Sequence, residues 1–164
     1  MQRRHFLLSL LALASAPLAA VEGASKSPIE KITKSEEEWR KQLTQEQYRI
    51  LREGESEPAY SSSLNDEKRK GTYVCAGCDL PLFTSEMKYD SGTGWPSFFT
   101  YIPDHMETKW DFKLFLPRTE YHCARCEGHQ GHVFNDGPKP TGKRYCNNGL
   151  ALRFTPDEED SPHL

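Results

Sequence analysis

The chain has 164 residues, 36% of them hydrophobic, and a formal net charge of −3. That length suits one compact domain with a leader or tail, built on a lean core. The acidic balance excludes a general nucleic-acid binder, since no basic excess is present to neutralise phosphates, and an odd set of five cysteines does not suit a pure disulfide scaffold.

Arg3 and Arg4 precede an apolar run from Phe6 to Leu13, and Ala-rich sequence follows to Ala20. A charged start, an apolar middle and small residues make an export leader, assigned here to residues 1–24. Arg3-Arg4-His5-Phe6-Leu7 resembles the twin-arginine signal. The run is shorter than the about 20 apolar residues of a spanning helix and carries Pro17, so no stable membrane insertion is expected after cleavage. The expected location is the periplasm or another exported compartment. Residues 25–31 read as a linker, 32–155 as the folded domain, and 156–164 as an acidic disordered tail.

Ser35 followed by Glu38 spells a capping box, and Thr44 followed by Gln47 repeats it. They predict two short helices that place Trp39, Leu43, Tyr48 and Leu51 on a docking face, with Gly54 as the stop. Residues 55–70 are polar and loop-like. From Gly71 onward, Thr72-Tyr73-Val74, Phe98-Phe99 and Asp111-Phe112-Lys113-Leu114-Phe115 are short runs bounded by turn residues, which predicts antiparallel β. Arg144 to Phe154 reads as one strand. One face of it carries Arg144, Cys146 and Asn148, then Leu150, Leu152 and Phe154.

Four cysteines form two Cys-x-x-Cys pairs, Cys75/Cys78 and Cys123/Cys126. Two such pairs are what a closed tetrahedral structural zinc requires, with no position left for chemistry. Gly77 is expected to allow the tight turn of the first pair. The long interval between the pairs suggests that they pin two strands of a larger sheet. Competing readings are a redox dithiol, or a cage in which His122 or His129 replaces a cysteine. The remaining thiol, Cys146, is free to be a nucleophile, and Arg144 beside it is expected to lower its pKa. His129 and His132 sit among glycines, with Asp136 following; an imidazole near a thiolate can stabilise it or pass a proton. Trp95, held between Gly94 and Pro96, is a candidate wall for an apolar substrate group. Asn148 is placed to donate to a substrate oxygen or to orient a neighbour.

Together these segments resemble the B-type methionine-R-sulfoxide reductases over residues 32–154. The resemblance is carried by Gly94-Trp95-Pro96-Ser97-Phe98, Arg118-Thr119-Glu120, the paired cysteines, Gly131-His132-Val133-Phe134 with Asp136-Gly137-Pro138, and Arg144-Tyr145-Cys146 with Asn148. It implies a mainly β fold of two antiparallel sheets, tent-like or barrel-like, with short N-terminal helices and one structural zinc per chain. It implies that Cys146 attacks the sulfoxide sulfur, that His129 and His132 bind or protonate the oxygen, and that Asp136, Arg144 and Asn148 support them. Trp95 would pack on the substrate methyl, with Phe134 beside it. Oxidised proteins or peptides would be the substrates, repaired under oxidative stress by a monomer recycled by a thioredoxin-like or small-thiol reductant. Thr93 stands where many relatives carry a resolving cysteine, so direct recycling by an external thiol is expected. Asn147 and Gly149 depart from the usual apolar residue and Ser, and are expected to change packing. Gln130 replaces a frequent Leu and is expected to alter the pocket rim. Glu120 is expected to pair with Arg118 or Arg144. Two other readings are a zinc-stabilised binding module without turnover and a cysteine hydrolase working through an acyl-enzyme.

Overall fold

Both capping boxes form. In the computed structural model, which describes residues 29–158 except Phe115, helix α1 (Glu36–Gln42) starts with the Ser35 hydroxyl accepting from Glu38 N, and the Glu38 carboxylate accepts in return from Ser35 N at 2.8 Å. Helix α2 (Gln45–Glu53) repeats the arrangement with Thr44 and Gln47, and Gly54 closes it at φ 68°, a left-handed conformation that glycine adopts without strain. Trp39, Leu43, Tyr48 and Leu51 are all buried, as the helical spacing predicts. The expected leader, most of the linker and the end of the tail lie outside the described residues.

The remainder is two antiparallel sheets. One has three strands in the order β2–β1–β9, from Pro81–Thr84, Gly71–Cys75 and Leu152–Pro156. The other has six in the order β3–β4–β8–β7–β6–β5, from Lys88–Tyr89, Ser97–Phe98, Arg144–Asn147, His129–Phe134, Arg118–Cys123 and Met106–Asp111. Strands β3 and β5 are open edges, so the sheet does not close, and the barrel-like version of the expected fold does not hold. Tyr73, Leu82, Phe83, Phe98 and Tyr121 are fully buried in the core, where the Phe83 and Phe98 rings stack with centroids 3.8 Å apart.

The strand expected over 144–154 is two strands in different sheets. Strand β8 ends at Asn147, residues Gly149–Ala151 make a 3₁₀ turn, and β9 enters the smaller sheet. The cause lies far away in sequence: the buried Glu57 carboxylate accepts from the backbone N–H groups of Gly149 and Leu150. This leaves Leu150 39% exposed rather than in the core. Gly149 is required here, since a Cβ would fall 1.9 Å from the Ser62 hydroxyl oxygen. The strand expected to start at Asp111 is likewise not found over residues 112–114. Strand β5 ends at Asp111, whose carboxylate turns the chain by accepting from Lys113 N at 2.9 Å, and Phe112 and Leu114 are exposed.

Candidate active site

The two Cys-x-x-Cys turns bring four sulfurs together. Cys75 ends β1 with Cys78 in the turn to β2, Cys123 ends β6 with Cys126 in the turn to β7, and their Sγ atoms all fall within 4.8 Å of one another. The Cys75–Cys126 and Cys78–Cys123 separations are 3.6 and 3.5 Å. A tetrahedral zinc with Zn–S near 2.3 Å requires edges of about 3.8 Å, so the donor set fits this ion. The turns are alike. Asp79 N bonds Cys75 O and Glu127 N bonds Cys123 O, both at 2.9 Å, and both Asp79 and Glu127 have φ 59°. The left-handed residue thus follows the second cysteine of each pair, and Gly77 is not the residue that makes the turn. Among the described residues no histidine enters the cluster. The helices clamp it: Gln42 Nε2 donates to Gly77 O at 2.6 Å and Arg52 Nη1 to Cys126 O at 2.8 Å.

Cys146 lies apart from the cluster, half-buried on β8. It opens into a cleft of about 120 Å³ lined by Ser56, Trp95, Arg118, His132, Phe134 and Asn148 with the backbone of Gly131. That volume admits the end of a side chain rather than a large ligand. Strands β7 and β8 pass closely here, and a Cβ on Gly131 would lie 1.9 Å from Cys146 O, so only glycine fits. Trp95 is held by its indole Nε1, which donates to Glu57 O at 3.1 Å. A larger cleft, about 620 Å³, lies beside it, lined by Trp110, Phe112, Lys109, Glu120 and His129, but it has no thiol.

Charges around Cys146 act in opposite senses. Burial pushes the Cys146 thiol up, while the Arg144 charge and hydrogen bonds from Thr93 and Arg144 pull it back without prevailing. The lowered pKa expected from Arg144 is therefore not found. Arg144 is also bound bidentately by Asp136 at 2.9 and 2.8 Å, and its guanidinium lies 4.3 Å from the Phe134 ring centroid. His132 Nε2 and Arg118 Nη2 both reach Asp111 Oδ2 at 2.7 Å. The N–H of Lys113 and these two partners hold the Asp111 carboxyl well below its usual range against burial, so the His132 nitrogen facing it carries the hydrogen. Burial pushes His132 below the ordinary imidazole range, with Asp111 opposing, which keeps the ring neutral near pH 7.

The structure thus gathers Cys146, His132, Trp95, Phe134 and Asn148 at one cleft. Arg144 and Asp136 stand behind Cys146 as an ion pair. His129 lines the neighbouring cleft; its ring centroid is 5.4 Å from that of His132, and its Nδ1 lies 2.9 Å from Glu120 Oε1 without alignment for a hydrogen bond. Glu120 faces His129 and Lys109, not Arg118 or Arg144. The Asn148 amide is spent on backbone, accepting from Glu57 N at 3.1 Å and donating to Gln130 O at 3.1 Å, which favours the orienting role. Gln130 is not at the rim: it is fully buried, with Nε2 3.4 Å from Cys75 Sγ. Asn147 is fully buried and takes the Tyr121 hydroxyl at 2.7 Å. Sequence reasoning missed Asp111, hidden in an apolar run, and Glu57, hidden in a polar one. Arg118 was visible only as part of a motif.

The alkylation rate of Cys146 follows its thiolate fraction, so its pH midpoint is expected above the ordinary thiol range of about 8.5. Arg144→Gln and Thr93→Val each remove a group that favours the thiolate and move the midpoint up; Asp136→Asn removes a group that opposes it and moves the midpoint down. Iodoacetamide kinetics against pH in the three variants check these signs. Glu57→Ala leaves two N–H groups of a buried turn without acceptors and is expected to cost about 2–4 kcal/mol in urea unfolding, with Glu57→Gln intermediate.

Residues 43–156 match the SelR domain family. A peptide methionine sulfoxide reductase MsrB of Methanosarcina barkeri is 51% identical over 129 residues, 78% of this chain and 91% of its own. The MsrB of Leptospira interrogans is 52% identical over 124 residues, 75% of this chain and 95% of its own. The chloroplastic peptide methionine sulfoxide reductase B1 of Arabidopsis thaliana is 51% identical over 121 residues, covering 73% of this chain and 60% of its own length. A family match over most of the folded residues, on a fold that sets a four-sulfur cluster apart from a lone thiol cleft, places one conclusion beyond doubt: the chain belongs to the SelR-domain family, with the B-type peptide methionine sulfoxide reductases.

Proposed function

We propose that this protein reduces methionine-R-sulfoxide in polypeptides to methionine, with Cys146 as the residue that takes the oxygen. The observation that carries this reading is the cleft itself. A half-buried thiol sits in a space sized for a side-chain end, with Trp95 and Phe134 as apolar walls and His132 as a neutral, proton-exchanging neighbour. The methyl group of the substrate packs on Trp95, and the sulfoxide oxygen turns toward His132.

The Cys146 thiol holds its proton in the free site. Its sulfur attacks the sulfoxide sulfur as the proton passes to the oxygen, by way of the His132 nitrogen not committed to Asp111. The S–S bond made by this attack and the methionine S–O bond then break as an S–O bond forms on Cys146. The products are methionine and Cys146 sulfenic acid, one oxygen transferred and no proton gained or lost. Arg144 stabilises the thiolate character that develops, with Asp136 holding its position. Asn148 fixes the backbone on the far side of Cys146.

Among the described residues the only other cysteines form the four-sulfur cluster, and Thr93, which favours the Cys146 thiolate, supplies no second thiol. The sulfenic acid is therefore reduced by external thiols. Two of them, on a thioredoxin-like protein or on small molecules, restore the thiol and yield a disulfide and water. The Cys75, Cys78, Cys123 and Cys126 cluster holds one zinc, which supplies folding energy and no chemistry because four thiolates close its coordination.

One equivalent of R-sulfoxide substrate without reductant is expected to add one oxygen to Cys146, trapped by a sulfenic-selective dione and located by peptide mass spectrometry. The four cluster cysteines should remain unmodified. A stable intramolecular disulfide at Cys146, or an acyl adduct there, would overturn the pathway.

A further inference from the structure

Gln130 occupies an irregular place in β7. In the β6–β7 ladder Tyr121 pairs with Gly131 and His122 with His129, so Gln130 is the extra residue of a β-bulge. Bulges re-aim side chains that strict alternation would send elsewhere. Here the Gln130 side chain is directed into the interior, fully buried, with Nε2 3.4 Å from Cys75 Sγ. Its Oε1 accepts from Asn147 Nδ2 at 3.4 Å. Asn147 follows Cys146 directly and takes the hydroxyl of the fully buried Tyr121 at 2.7 Å on its other side. The backbone of Gln130 faces the same segment, its carbonyl accepting from Asn148 N at 2.9 Å and from Asn148 Nδ2 at 3.1 Å.

Two carboxamides buried in contact have a reason to be there only if their polar atoms are used. Those of Gln130 and Asn147 connect a cluster sulfur to the strand that carries the reactive thiol. A cage of four thiolates around one divalent cation carries excess negative charge, and an N–H aimed at one sulfur relieves it.

We propose that Gln130 is a positioning residue that donates to the Cys75 thiolate, slows loss of the metal, and through Asn147 and Asn148 ties the state of the cluster to the setting of Cys146. The proposal rests on the zinc reading above. In the holoprotein the Cys75 sulfur accepts the Gln130 N–H. When the metal leaves, the Cys75 sulfur is no longer held in the cage, and the amide chain that runs from it through Gln130 to Asn147, beside Cys146, loses its fixed end.

The test compares metal transfer from the full-length holoprotein to a colorimetric chelator in wild type, Gln130→Met, which is similar in length but has no amide, and Gln130→Glu, which keeps the shape and presents an acceptor to the sulfur. Release is expected roughly tenfold faster in the Met variant and faster still in the Glu variant. Asn147→Leu should speed release by a smaller factor. With ¹¹³Cd in place of zinc, the metal resonance should move in Gln130→Met while near-ultraviolet circular dichroism shows an intact fold. Cys146 in that variant should alkylate at a changed rate. Equal release rates with an unmoved ¹¹³Cd resonance would overturn the proposal and leave the zinc reading standing. Less than one metal per wild-type chain by elemental analysis would overturn both.

Discussion

The four-sulfur cluster joins elements that otherwise have little reason to stay in register. One cysteine pair comes from the turn between β1 and β2 in the smaller sheet, the other from the turn between β6 and β7 in the larger one. Both helices hydrogen-bond its backbone, through Gln42 and Arg52. Strand β7 starts at His129, soon after Cys126, so fixing the cage fixes where β7 begins. Strand β8, carrying Cys146, is laid against β7 with His132 opposite Cys146. The span from the four-sulfur cluster to Cys146 is thus bridged by hydrogen-bonded ladder. A chain with 36% hydrophobic residues buries a modest core, and a metal held by the four sulfurs would add a cross-link that forms only in the folded state.

The reactive site shows restraint rather than maximal activation. A positive charge beside a thiol ordinarily exposes it as thiolate, the form that oxidants attack. Here Asp136 shares Arg144, and burial opposes ionisation. Burial thus favours the protonated thiol in the free protein, the form from which the proposed reaction starts. The neighbouring carboxylate, Asp111, stays ionised and holds both Arg118 and His132, which fixes the imidazole tautomer without placing a formal negative charge on Cys146 itself.

What could be read from the sequence was local. Capping boxes span four residues, Cys-x-x-Cys turns span four, and the Gly-Trp-Pro turn three, so each carries its own geometry. The readings that failed depend on distant partners. The break between β8 and β9 is imposed by Glu57, which is 92 positions from Gly149. Gln130 faces the Cys75 sulfur because a bulge opposite β6 turns it, and no single-strand alternation predicts that. The sign of the Cys146 shift is decided by burial, a property of the assembled sheets, while sequence showed only the adjacent arginine. Asp111 sat in an apolar run read as strand, and its role emerged only when β5 and β7 were brought to either side of β6.

The most direct test of the account is methionine formation from separated R and S sulfoxide epimers of a blocked methionine, with zinc-loaded protein and excess dithiothreitol, in wild type and Cys146→Ser. The account predicts turnover of the R epimer alone in wild type and none in the variant. Turnover that survives Cys146→Ser, or its absence for both epimers in folded, metal-loaded wild type, would contradict it.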